Sequence, residues 1–155
     1  MDISIRDATP DDGAIIADYN NRMAEETERK SLDPALIRRG VQRLLENPAH
    51  GRYWVAERAG ILAGQIMVTY EWSDWRDGQI WWVQSVYVHK EHRRAGVFTA
   101  LYRHVESLAM TDPDVCGIRL YVEKENIRAQ RTYDALGMMH TDYRIMEIML
   151  ARSDA

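Results

Sequence analysis

The chain has 155 residues, 46% hydrophobic and 28% charged, with a formal net charge of −4. That length suits one domain, residues 1–155, with a buried core, and the acidic balance excludes bulk attraction to nucleic acid. No apolar run nears the ~20 residues of a membrane span, and the single cysteine, Cys116, excludes an intrachain disulfide framework and a cysteine-rich metal site.

Ile3 to Arg6 alternates as a short strand. Thr9-Pro10-Asp11-Asp12 is a helix start: a capping hydroxyl, proline at the first helical position, then acids in the first turn. The helix runs towards Ala24 and buries Ile15, Ile16 and Tyr19. Glu25 to Lys30 reads as a solvated helix end. Asp33-Pro34 repeats the start signal, Leu36, Ile37, Val41, Leu44 and Leu45 form a second apolar stripe, and Asn47-Pro48 stops it.

Three strand-like runs follow. Tyr53 to Glu57 and Ile61 to Tyr70 are joined by the tight turn Arg58-Ala59-Gly60. Asp77-Gly78 marks a turn before Ile80 to Val88. This predicts an antiparallel meander. The spacing then predicts a helix over 98–110, a strand over Gly117 to Val122, and a parallel, right-handed crossover between that strand and the one ending at Val88. Glu125-Asn126 opens a last helix with Gly137 as its cap. Met138 to Leu150 is expected to supply one or two final strands. The order is βααβββαβαβ, an α/β (α+β) layer with a mixed sheet.

Chemistry concentrates in two places. The run Trp81 to Val88 flows into the basic turn Arg93-Arg94-Ala95-Gly96 and then into a helix. Helix N-termini carry unsatisfied N–H donors and partial positive charge, so this turn reads as a cradle for an anion, most plainly a diphosphate. The second place is Asn126-x-x-Ala129-x-x-x-Tyr133-x-x-x-Gly137-Met138. Asn126 stands at a helix start, free to cap it or to reach a ligand. Ala129 and Tyr133 share a helix face. Both helices follow strands predicted to be parallel, so both open at the carboxyl edge of the sheet, where α/β proteins bind ligands.

With these motifs the chain resembles the GCN5-related N-acetyltransferases (GNAT). Their [Q/R]-x-x-G-x-[G/A] matches Arg93-Arg94-Ala95-Gly96-Val97 and departs at Phe98. Their N-x-x-A-x-x-x-Y-x-x-x-G-[F/M] matches Asn126 to Met138 at every fixed position. The resemblance covers essentially the whole chain. It implies a mixed, mostly antiparallel sheet with a splayed central parallel pair and about four flanking helices.

It further implies acetyl-CoA as the acyl donor and no metal. The diphosphate is expected on Arg93, Arg94, Ala95, Gly96, Val97 and Phe98. The phenyl of Phe98 is expected to turn into the core with Leu101 and Tyr102. The pantetheine arm is expected along Val86, Tyr87 and Val88, with Asn126 and Ala129 beside the cofactor. A backbone N–H near Val86 would stabilise the developing oxyanion, worth roughly 3 kcal/mol. Tyr133 would protonate the leaving thiolate. The first two helices of similar proteins gate the acceptor, so Glu25 to Lys30 has that second reading.

The general base stays open among Glu71, Asp74, Glu123 and a water held by Gln84 or Ser85, with Glu71 and Glu123 ranked ahead. Glu71, Trp72, Asp74, Trp75 and Gln84 are candidate substrate contacts, because indoles and carboxylates suit a cationic ligand. The same tryptophan-rich stretch also suits hairpin packing or a dimer face. The five histidines show no metal-ligand spacing.

The expected function is acetyl transfer to a primary amine of a small molecule, by direct attack in a ternary complex. Alternatives are a peptide or protein acceptor and a non-catalytic acyl-CoA sensor. The N-terminus MDISIRDATPDD lacks a signal-peptide layout, so a cytoplasmic homodimer without nucleic-acid or membrane partners is expected.

Overall fold

Among the described residues five strands form one sheet in the order β1-β2-β3-β4-β5, and β2 and β3 each bury four consecutive residues because both faces of the sheet are covered. The strands are β1 (Ile3–Asp7), β2 (Arg52–Arg58), β3 (Ile61–Ser73), β4 (Gly78–Val88) and β5 (Val115–Arg119). The first four pair antiparallel, and β5 runs parallel to β4. The meander and the crossover therefore follow the sequence expectation. The β2–β3 turn needs positive φ at two residues, and Ala59 (51°) and Gly60 (77°) supply it, as a two-residue hairpin requires.

The computed structural model describes residues 2–151. They divide into two units, one up to Leu120 and one from Tyr121 onward. In the first, α1 (Gly13–Glu28) and α2 (Pro34–Glu46) lie on one face of the sheet and α3 (Val97–Thr111) on the other. Trp54, Ile66, Val68, Trp81 and Val83 meet Val97, Leu101 and Val105 on the α3 side. Ile16, Val41, Tyr53 and Val55 form the core under α1 and α2. Helix α3 approaches the sheet closely at Gly64, where a Cβ would lie 2.9 Å from the Tyr87 carbonyl and 3.0 Å from Val97 Cγ1.

The start of α1 is set differently from the sequence expectation. Pro10–Asp12 is a 3₁₀ turn that precedes the helix. Asp12 Oδ2 accepts from Thr9 N at 2.7 Å, closing the capping box. Both oxygens of Asp12 also accept from the Arg6 guanidinium, at 2.8 and 2.9 Å. Arg6 bonds Glu57 as well. One buried carboxylate thus ties the first helix to the first two strands.

In the second unit, α4 spans Ile127–Ala135. Asn126 Oδ1 caps it by accepting from Ala129 N at 3.2 Å. Gly137, at φ 94°, turns the chain out, with Met138 N donating to Tyr133 O. This is the 6→1 bond of a glycine-terminated helix. The expected strands over 138–150 are not formed. Met139, Tyr143, Ile145, Met146, Ile148, Met149 and Leu150 are exposed. A strand exists only when its N–H and C=O groups find a ladder, and among the described residues of this unit α4 is the one regular element. The strand expected over Gly117 to Val122 is likewise shifted, to Val115–Arg119.

Replacing Asp12 by Asn is expected to cost about 2 kcal/mol of unfolding free energy, the scale of hydrogen bonds to charged groups. The Arg6 guanidinium holds the Asp12 carboxyl below its ordinary 3.8. A depressed folded pKa contributes stability that is complete above the unfolded value and is lost as pH falls through the folded one. Urea unfolding should therefore show the wild-type advantage at neutral pH and its shrinkage in acid.

Candidate active site

The site begins where β4 and β5 part. Their parallel ladder runs from Gln79↔Val115 to Trp82↔Arg119 and stops, while β4 continues to Val88. From Val83 onward β4 keeps β3 on one side and has no β5 residue on the other. A strand edge left open in this way presents unpaired main-chain groups to an extended ligand.

Along this stretch β4 carries a bulge. Its register against β3 shifts between Gln65 and Met67, whose partners are Tyr87 and Gln84. Ser85, inside the bulge, has φ 51°, a conformation uncommon for a residue with a Cβ. Three polar side chains surround it. Gln65, 0% exposed, donates through Nε2 to the Ser85 carbonyl at 3.0 Å and to Asn20 Oδ1 at 2.8 Å. Asn20 Nδ2 donates to the Tyr53 hydroxyl at 3.1 Å. Burial pushes the Tyr53 phenol up, and hydrogen bonds from Asn20 and Ser85 pull it the other way.

The turn after β4 has the features expected of an anion cradle. Arg94 (φ 63°) and Gly96 (φ 86°) are left-handed, and Gly96 is the N-cap of α3 with no side-chain cap on the helix. No heavy atom lies within 4 Å of the position a Gly96 Cβ would take. The first-turn amides of α3 thus have no side-chain cap, and unsatisfied amides at a helix start are the groups that bind anions. Val97 is buried beneath them. Phe98 stacks on Tyr102, with centroids 6.3 Å apart and rings 27° from parallel, so its phenyl follows the α3 core stripe.

Arg93 is held by neighbouring groups of the protein. Its Nε donates to the Val88 carbonyl at 2.9 Å, and Nη2 donates to Glu26 Oε1 at 2.6 Å. Its guanidinium carbon lies 5.4 Å from the Tyr87 ring centroid. The Tyr87 hydroxyl donates to Glu26 Oε2 at 2.5 Å. Glu26 is therefore not part of a merely solvated helix end: it joins α1 to β4 and to the cradle turn. Burial of Glu26 favours its neutral form, but the bonds from Tyr87 and Arg93 together outweigh this and hold the carboxyl below its ordinary value. Burial, and then the bond to Glu26, push the Tyr87 phenol up to about 12.

The candidate acids are also committed. Glu71 Oε1 accepts from the Trp82 indole at 2.7 Å, and Oε2 lies 3.1 Å from Arg119 Nη1. Both oxygens of Glu71 thus hold partners on other strands, Trp82 on β4 and Arg119 on β5. Gln84 Nε2 donates to Thr69 Oγ1 on the same face. Trp72 and Trp75 are 61% and 86% exposed at the β3–β4 hairpin end, whereas Trp81 is 5% exposed against Trp54. Trp72 and Trp81 share one face of the sheet, so position along the hairpin, and not the face, separates the exposed tryptophans from the buried one. In the second unit, Glu123 Oε2 accepts from Glu125 N at 2.9 Å, and Asn126, Ala129 and Tyr133 lie on α4 with Asn126 acting as its cap. Among the described residues no group of side chains could hold a metal ion.

Sequence reasoning missed Glu26, Gln65 and Arg119. Glu26 sits in an acidic run that reads as solvent-facing, and Gln65 is a lone amide inside an apolar strand. The signal for Gln65 was available: strand alternation puts it on the same face as Met67, inside the sheet.

A Glu26→Gln substitution should lower the Tyr87 pKa from about 12 towards the ordinary tyrosine value, because the raised value depends in part on the nearby negative charge. A titration followed by the ¹³Cζ resonance of Tyr87 checks this; an unmoved midpoint would leave burial as the whole cause.

The model of the acetyltransferase (GNAT) family matches residues 14–138. A crystal structure of a possible acetyltransferase from Clostridium difficile 630 is similar at 45% identity and TM-score 0.92, covering 97% of this chain and 99% of that one. A ribosomal-protein-alanine N-acetyltransferase from Brucella melitensis biovar Abortus 2308 shares the fold at 17% identity and TM-score 0.77, covering 97% and 100%. A GCN5-related N-acetyltransferase from Ralstonia eutropha JMP134 does so at 20% identity and TM-score 0.78, covering 95% and 99%. No curated protein matches the chain. The parallel pair that splays at Trp82, the glycine-capped start of α3 and the matched span place the chain in the GNAT family of acetyltransferases.

Proposed function

We propose that this chain transfers the acetyl group of acetyl-CoA to a primary amine of a small molecule, by direct attack in a ternary complex. Family membership supports the reaction class. The observation that carries the cofactor reading is the continuity of the open β4 edge with the uncapped, glycine-led start of α3. An extended thioester arm that ends in a diphosphate has that length and polarity.

In this reading the main-chain amides of residues 94–97 bind the diphosphate. Arg94 adds charge, and Arg93 shapes the turn through Glu26 and Val88. Val86 and Val88 bond the arm as a neighbouring strand would. Acetyl-CoA supplies the activated acyl group. The Val86 N–H donates to the acyl carbonyl, and Tyr133 holds a proton at its phenol oxygen for the departing sulfur. A phenol with a reference pKa of ~10 keeps that proton at neutral pH.

The acceptor ammonium must shed a proton first. Glu71 and Glu123 are already bonded, so we assign that proton to water. The charge of Glu71 is balanced by Arg119.

Detection of free CoA across a panel of amines tests the activity; no release above hydrolysis with any amine would favour the acyl-CoA sensor. Tyr133→Phe is expected to keep CoA affinity and to lose roughly 100-fold in turnover, the scale of general acid catalysis. Gly96→Glu should weaken CoA binding by about tenfold or more in calorimetry, because it strains a left-handed residue and sets a carboxylate among the phosphate-binding amides. Unchanged affinity would remove the cradle from the cofactor site.

A further inference from the structure

The bulge in β4 is held from inside by a side chain that the reaction itself does not require. Gln65 lies on β3, fully buried, and its Nε2 spends both hydrogens: one on Asn20 Oδ1 and one on the Ser85 carbonyl. Both neighbours are acceptors at those atoms, so the amide is fixed with nitrogen towards the bulge. Asn20 is fixed in turn by its own donation to the Tyr53 hydroxyl. The orientation leaves Gln65 Oε1 buried and without a hydrogen-bond partner, which costs free energy that an apolar residue of the same size would avoid.

The geometry of the peptide bond says what this arrangement does. The Ser85–Val86 peptide is trans, and a trans peptide carries its C=O and its following N–H on opposite sides. With the Ser85 carbonyl turned to Gln65, the Val86 N–H is turned away from it. The positive φ of Ser85 is the strain that accompanies this peptide orientation. We infer that Gln65, steadied by Asn20, is a positioning residue: it locks the Ser85 carbonyl and so aims the Val86 N–H at the acyl carbonyl beside the open edge of β4. The inference rests on the acetyl-CoA reading above and adds to it the residue that orients the carbonyl donor.

The lock acts on the acyl group and not on the diphosphate, which separates it from a general structural role. The probes are CoA and acetyl-CoA enriched with ¹³C at the thioester carbonyl, with Gln65→Met as the variant, because Met keeps the volume and removes the donor. In the wild type the bound carbonyl resonance should lie downfield of the free one, as a hydrogen-bonded carbonyl does. In Gln65→Met it should move back towards the free position while calorimetric affinity for CoA is retained.

A resonance in Gln65→Met identical to wild type would overturn the inference. Equal loss of affinity for CoA and acetyl-CoA would do so too, by showing general damage to the fold. A wild type that binds CoA without any carbonyl shift would sink the orientation argument and leave the cofactor reading standing; a wild type that binds neither probe would remove that reading and the inference with it. If Gln65→Met fails to fold, Asn20→Ala removes only the second anchor of the amide. It should return the resonance part of the way, and an unshifted resonance there counts against the lock.

Discussion

One constraint organises the first unit: β4 is paired along its length with β3 but only to Trp82 with β5. Buried unpaired main-chain groups cost roughly 1–3 kcal/mol each, so a sheet does not leave an interior strand half-open without consequence. Both faces of this one are packed. Helix α3 presses close enough at Gly64 to exclude a methyl group, and α1 and α2 cover the other face. The strand cannot twist away to hide its edge. An open edge of this kind can take an extended ligand as a further strand, and the turn at its end leads directly into the uncapped amides of α3.

Charges in this unit do structural work before they do chemistry. Arg6, Arg93 and Arg119 each meet a carboxylate from another element: Asp12 and Glu57, Glu26, and Glu71. The Arg93 and Arg119 pairs are partly exposed and worth about 1 kcal/mol or less, so they are orienting contacts more than stabilising ones, whereas the Asp12 carboxylate of the Arg6 pair is buried. The Glu26 pair has the clearest geometric effect, because it anchors the cradle turn to α1 through Arg93 and Tyr87 together. Arg93 is engaged by Glu26 and by the Val88 carbonyl, whereas the start of α3 carries the helix's own partial positive charge.

The meander and crossover were legible because period-two alternation and turn residues such as Ala59-Gly60 are local signals. The parallel relation of β4 and β5 followed from the length of the crossover alone. What was not legible depended on partners distant in sequence. Ser85 looks like any strand serine, and its positive φ arises only once Gln65 has claimed its carbonyl. Glu26 lies 67 residues from Arg93. The run from Tyr143 to Leu150 has strand-like composition yet forms no strand, since composition cannot supply a ladder partner. Adjacent tryptophans gave one composition signal, whereas alternation buried Trp81 against Trp54 and turned Trp82 to Glu71 on the opposite face.

The buried polar cluster of Asn20, Tyr53, Gln65 and Ser85 is the least economical part of the first unit. An apolar side chain at position 65 would remove the orphaned Oε1 and would let the bulge relax towards a regular ladder, and replacing buried polar groups by apolar ones of similar volume is often neutral or stabilising. Packing therefore does not explain it. The orphaned acceptor, the left-handed serine and the break in register all fall within one bulge, on the only stretch of β4 that β5 has left. Strain gathered at one peptide is what a device for aiming an N–H requires, because an unstrained ladder would turn that same N–H in the direction the pleat dictates.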